Sequence, residues 1–204
     1  MDKQANLLMK GDNMKIYGIT GAIGCGKTTL ADIFNKMGYD VFDADKTVAL
    51  IYKDEDFLIQ LRNSFPRVFK NGVVDKRLLR QIVFSNQKEL LKLEDLIEPF
   101  LQKLFINKIN ESAQKQGILF IDAVLLFEKG WNRFCEKVIC VTVDSEIQKQ
   151  RVMKRDQITE EDFYKIYHLQ MSNGIKCQIS DIVVDTNCSL EELEKKAKQI
   201  IRNL

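Results

Sequence analysis

Apolar residues are spaced along this chain in two ways. Unbroken apolar runs predict short strands at Lys15–Thr20, Tyr39–Phe42, Gly117–Asp122, Lys137–Val143 and Ile182–Val184. Buried parallel strands have this character because helices cover both faces of their sheet. Elsewhere apolar residues recur every three or four positions, as on a helix with one buried face. Leu30, Ile33, Phe34 and Met37 mark such a helix, stopped by Gly38 and placed between the first two strands, which reads as a βαβ unit. Between 46 and 116 the spacing predicts helices alone, apart from a short turn near Gly72. Their faces are Leu78, Leu79, Ile82 and Val83, then Leu90, Leu93, Ile97, Phe100, Leu104 and Ile109, with a kink or break at Pro99. An excursion this long exceeds a plain crossover and predicts a lobe over the carboxyl edge of the sheet. Two helices follow at Ser145–Arg155 and Thr159–Met171, and Leu190, Leu193, Ala197, Ile200 and Leu204 line a closing one.

Composition narrows the class. With 45% hydrophobic and 29% charged residues, the 204-residue chain resembles ordinary globular protein. Its 31 basic and 29 acidic residues leave +2, too weak a bias to indicate a nucleic-acid partner. Five cysteines without a CxxC pair, and one histidine, build neither a disulfide framework nor a zinc site. No apolar run nears the roughly 20 residues of a membrane helix. The opening residues, with Asp2 where signal peptides are basic, predict a flexible tail over 1–13, a cytoplasmic location and no membrane partner, with Met14 an alternative start. No heptad persists, so a monomer or weak homo-oligomer is expected.

Gly21-Ala22-Ile23-Gly24-Cys25-Gly26-Lys27-Thr28 matches G-x-x-x-x-G-K-[ST] between a strand and a helix, the setting of a phosphate-binding loop. Glycines let backbone N–H groups converge on phosphate oxygens at a helix amino end. Lys27 would bridge the β- and γ-phosphates and Thr28, followed by Thr29, would offer a hydroxyl to Mg²⁺. Cys25 is small enough to be a passive member of the loop, although a thiol at a positive helix end is open to oxidation. The motif specifies a nucleoside triphosphate and leaves its fate open, although an N-K-x-D run for guanine is lacking.

Acids close two of the strands. Asp43 and Asp45 would point to one side if the second strand lasts through Asp45 and lies next to the phosphate-loop strand. Asp45 would then accept the proton of an attacking hydroxyl, and its competing use is to cap a helix beginning at Lys46. Asp122 resembles a magnesium-holding acid, and an acid closing a strand also has purely structural uses. Arg151 and Arg155 share a helical face, which suits either a solvated surface or a basic lid over a triphosphate. His168 receives no role.

Several separated stretches together resemble the dephospho-coenzyme A kinase family: ITGAIGCGKTT, DAD at Asp43–Asp45, GVVDKRLLRQIVF from Gly72, LLFE at Leu125–Glu128, QRVMKRD from Gln150 and SDIVVDTN from Ser180. The resemblance implies an α/β P-loop nucleoside triphosphate hydrolase-like fold, a five-stranded mostly parallel sheet with a helical substrate lobe and a lid. It implies ATP and Mg²⁺ as cofactors and transfer of the γ-phosphoryl group to the ribose 3′-hydroxyl of dephospho-CoA. Asp45 would be the base, Arg151 and Arg155 the lid arginines. Lys176 would be a nucleotide ligand, with Asp43, Asp75 and Arg77 on the acceptor side beside Lys76. Core residues 14–58 and 117–204 would enclose a lobe at 59–116 and a lid at 148–165.

The chain departs from the family pattern in four places. Ala49 stands where arginine is usual, Glu98-Pro99 replaces a histidine–proline pair, Val124 replaces a proline, and Lys176 replaces an arginine, keeping the charge without the planar fork. Two rivals share the loop: another small-molecule kinase acting on a nucleoside or nucleotide, and a non-catalytic ATP-binding protein.

Overall fold

The computed structural model describes residues 14–115 and 117–204; the tail expected over 1–13 lies outside them. The described chain divides into two compact units, one of residues 44–108 and one of residues 14–43 with 109–204. These units break at 43/44 and 108/109, whereas the expected lobe ran from 59 to 116. Residues 44–58 fall with the helices that follow them, and 109–115 fall with the sheet.

The larger unit is built on strands β1 (Lys15–Thr20), β2 (Asp40–Asp43), β5 (Ile118–Asp122), β6 (Lys137–Thr142) and β7 (Ile182–Asp185). They form one sheet in the order β2-β5-β1-β6-β7, and every pairing is parallel. β2 is therefore not the neighbour of β1, as expected, because β5 lies between them. Helix α1 (Lys27–Lys36) carries the crossover and buries Leu30, Ile33 and Phe34. The Phe34 ring stacks on Phe120 of β5 with centroids 4.2 Å apart. Leu193, Ala197 and Ile200 of the closing helix α9 (Leu190–Arg202) join the same apolar cluster. Ser189 and Glu192 start that helix with a reciprocal capping box.

The same unit holds three helices between β6 and β7: α6 (Ser145–Asp156), α7 (Glu160–His168) and α8 (Asn173–Ile179). The first two match the predicted pair. The third was hidden by its seven-residue length, too short to show a periodicity. Lys149 joins α6 to α7 through Glu160 at 2.7 Å.

In the smaller unit, α2 (Ala44–Ile51), α3 (Glu55–Ser64), α4 (Lys76–Ser85) and most of α5 (Gln87–Ala113) surround Phe57, Leu61, Leu79, Leu93, Leu101 and Phe105. The turn near Gly72 is a small hairpin, β3 (Phe69–Lys70) against β4 (Val73–Val74), with Asn71 and Gly72 both at positive φ. Pro99 does not break its helix: α5 runs through it for 27 residues. Proline lacks an N–H, so the helix forfeits a hydrogen bond there. No helix among the described residues is long and apolar enough to cross a membrane.

Candidate active site

The loop Gly21–Lys27 leaves the carboxyl end of β1 and enters α1. Gly26 is the N-cap at φ +86°, a left-handed conformation that suits glycine and turns the first helical N–H groups toward one point. Gly24, at φ +82°, has a second reason: an added Cβ would collide with Val152 Cγ2 of α6. Cys25 is buried, which pushes its thiol up to about 11 and makes it the passive member of the loop. Thr28 and Thr29 are exposed in the first turn of α1.

Lys27 and Asp122 meet at the centre. Both are buried, and the ammonium lies 2.5 Å from the carboxylate. The contact follows from strand order, since β5 is the neighbour of β1 and its last residue stands level with Ile19. On the other side of β5, Asp43 is in register with Asp122. β2 ends at Asp43, so the strand does not persist through Asp45. Asp45 instead occupies the first turn of α2, exposed, with the helix already begun at Ala44. That placement also removes the simple cap of a helix starting at Lys46.

A layer of single polar side chains, most of them not apparent from sequence pattern, fixes the loop. Asn173 accepts the Ala22 N–H at 2.8 Å and donates to the Val141 carbonyl at 3.2 Å. Gln170 accepts the Ile23 N–H at 3.1 Å, and Gln148 donates to the Ile23 carbonyl at 2.6 Å. The Thr186 hydroxyl donates to the Cys25 carbonyl at 2.8 Å, and Arg151 reaches the same threonine at 3.5 Å. Such isolated polar residues have no spacing to recognise. Only the SDIVVDTN stretch, which contains Thr186, carried any signal.

Two basic residues expected on the nucleotide have other partners. The Arg155 guanidinium forms a fork with Asp156, both bonds 2.7 Å, and its pKa is raised chiefly by that contact. Lys176 is fully buried, donating to the Val124 carbonyl and lying 3.0 Å from Glu128. Glu128 in turn accepts the Met171 N–H at 2.8 Å, so the LLFE turn and α8 are fastened together. In the smaller unit, Asp75 caps α4 through the Leu78 N–H and pairs with Lys70 at 2.8 Å. Those bonds, Lys70 first, hold its pKa below the ordinary carboxylate value. Arg77 is exposed in the first turn of the same helix.

A sequence model of the dephospho-CoA kinase family matches residues 15–192. Dephospho-CoA kinase of Bartonella quintana is 36% identical over 194 residues, covering 94% of this chain and 98% of the relative. That of Fusobacterium nucleatum is 34% identical, covering 94% and 100%. The crystal structure of TT1252 from Thermus thermophilus superposes with a TM-score of 0.86 at 30% identity, covering 95% of this chain and 99% of that one.

Proposed function

The chain belongs to the dephospho-CoA kinase family, and from that premise we propose how its residues carry out the ATP-dependent phosphorylation of dephospho-CoA to coenzyme A. The supporting observation is the glycine loop at the amino end of α1 with the buried Lys27 at its close. ATP lies with its phosphates on the loop N–H groups, and Lys27 exchanges Asp122 for oxygens of the β- and γ-phosphates. The ribose 3′-hydroxyl of the acceptor attacks the γ-phosphorus in line, without a phosphoenzyme. Asp45 orients that hydroxyl and takes its proton. Its exposure at the head of α2 suits a base that must meet a substrate.

Arg151, already joined to the loop through Thr186, offsets the charge that spreads over the transferring group. Arg155 adds to it on exchanging Asp156 for phosphate oxygens. Lys176 serves the nucleotide indirectly, by holding the 124–128 turn. Asp43 and Arg77 are assigned to the acceptor, and Asp75 shapes the helix that presents Arg77.

Thr28 and Asp122 supply hard oxygen donors, and no cluster of three or more His, Cys, Asp or Glu suited to a metal occurs among the described residues. A donor set this sparse fits Mg²⁺, which keeps several waters and takes further ligands from phosphate. Thr28 and Asp122 would hold the ion. Once bound, it would neutralise phosphate charge. A cytoplasmic, monomeric or weakly associating enzyme completes the reading.

The test is ADP release measured with a panel of acceptors. Turnover with dephospho-CoA and none with nucleoside monophosphates is the expected result. The reverse order would identify a nucleotide kinase, and tight ATP binding without turnover on any acceptor a binding protein.

A further inference from the structure

We propose that Cys140 and Cys177 are a redox modification site, a dithiol that a low-molecular-weight disulfide converts reversibly to an intramolecular disulfide, weakening nucleotide binding. The two sulfurs are 3.6 Å apart, Cys140 on β6 and Cys177 on α8. Asn173 lies between them and the phosphate loop: its Oδ1 is 3.9 Å from Cys140 Sγ, its Nδ2 3.9 Å from Cys177 Sγ, and its Oδ1 accepts the Ala22 N–H.

A disulfide needs the sulfurs about 2.05 Å apart, so one side must move. Cys140 is fully buried in the sheet, in register with Thr20 of β1 and Val183 of β7. The side left to shift is α8, a seven-residue helix that carries Asn173 one turn before Cys177 and is held to the LLFE turn by Lys176. Drawing α8 onto β6 therefore displaces the acceptor that fixes Ala22. Burial pushes the Cys140 thiol up, whereas Cys177 is partly exposed, so reaction begins at Cys177.

The Cys177 thiolate attacks one sulfur of RSSR, giving a mixed disulfide and RS⁻. Cys140 then loses its proton and its sulfur attacks Cys177 Sγ, expelling the second RS⁻. Two protein thiols are oxidised, one RSSR is reduced to two RSH, and both protons pass to the leaving thiolates.

Oxidised glutathione is the probe, applied to the full chain carrying Cys188→Ser, since Cys177 and Cys188 share one tryptic peptide. After free thiols are alkylated, a Cys140–Cys177 linked peptide that dithiothreitol removes is expected. A mixed disulfide that stops at Cys177, or a link to Cys25, overturns the site. ATP binding is read without acceptor, because the thiol of dephospho-CoA would reduce the bond. Oxidation should weaken it about fivefold or more, and should leave Cys177→Ser unchanged. This coupling rests on the nucleotide reading of the loop. Reduced protein that fails to bind ATP sinks that reading and the coupling with it. ATP affinity that survives disulfide formation sinks the coupling alone.

Discussion

The Lys27 ammonium and the Asp122 carboxylate are 2.5 Å apart, their side chains 9% and 1% exposed. Breaking a buried pair of this kind by removing one member is costly. Lys27→Ala should therefore act twice. Loss of its charge at the phosphates should lower kcat by on the order of 10²–10³. Removal of the ammonium beside the buried Asp122 carboxylate should lower stability by about 3 kcal/mol. Steady-state kinetics and urea unfolding of one preparation check both, and normal kinetics would remove the loop from the mechanism.

Asp45→Asn keeps the shape of the side chain and removes the proton acceptor. A fall in kcat of roughly 10²–10⁴ is expected, with ATP affinity unchanged. Turnover at the wild-type rate would take the base role away from Asp45.

Glu128→Ala tests the fastening of the LLFE turn. It leaves the fully buried Lys176 with the Val124 carbonyl, which carries no charge to match it. Glu128 is 21% exposed, so solvent moderates the loss. Destabilisation of about 2–3 kcal/mol by chemical denaturation is expected. A stable variant would mean that the carbonyl alone satisfies the ammonium.

Gly24→Ala places a Cβ against Val152 and an L-residue at φ +82°. The backbone alone costs about 1–2 kcal/mol. ATP binding should weaken strongly. Adding Val152→Ala should recover part of it by removing the collision without relieving the backbone. Full recovery would show that φ imposes no cost there.

Asp75 has a lowered pKa, so the folded chain favours its charged form. Its contribution to stability is present above the ordinary carboxylate value of 3.8 and is lost as pH falls through the lowered one. Asp75→Asn keeps the cap acceptor and removes the charge. Urea midpoints of wild type and variant should thus differ at neutral pH and converge in acid. A constant gap would exclude linkage to this carboxyl.

Strands β5 and β6 were legible because burial on both faces makes them uniformly apolar, and the glycine loop because its motif encodes a backbone shape. The neighbours of β1 were not legible. Local pattern says nothing about which later strand will enter between β1 and β2, so β2, which ends at Asp43, was expected beside β1 where β5 stands. Helix α3 went unread because Phe57 and Leu61 are its only buried residues. Asn173, Gln170 and Gln148 share the difficulty that a lone amide has the same appearance in sequence whether it faces solvent or holds a loop. Lys176 shows the converse. The family resemblance set it on the nucleotide, whereas its ammonium is buried against Glu128 and Val124.

Because β5 separates β1 from β2, neither early strand finds a hydrogen-bonding edge in the chain that immediately follows it. Both wait for residues 118–122, some 75 or more positions downstream of β2. During synthesis the ribosome must therefore deliver the whole intervening helical unit before the first pairing of the large sheet can close. Long-range parallel pairing of this kind folds slowly. The nucleotide loop, among the first segments made, is thus among the last to acquire its working shape.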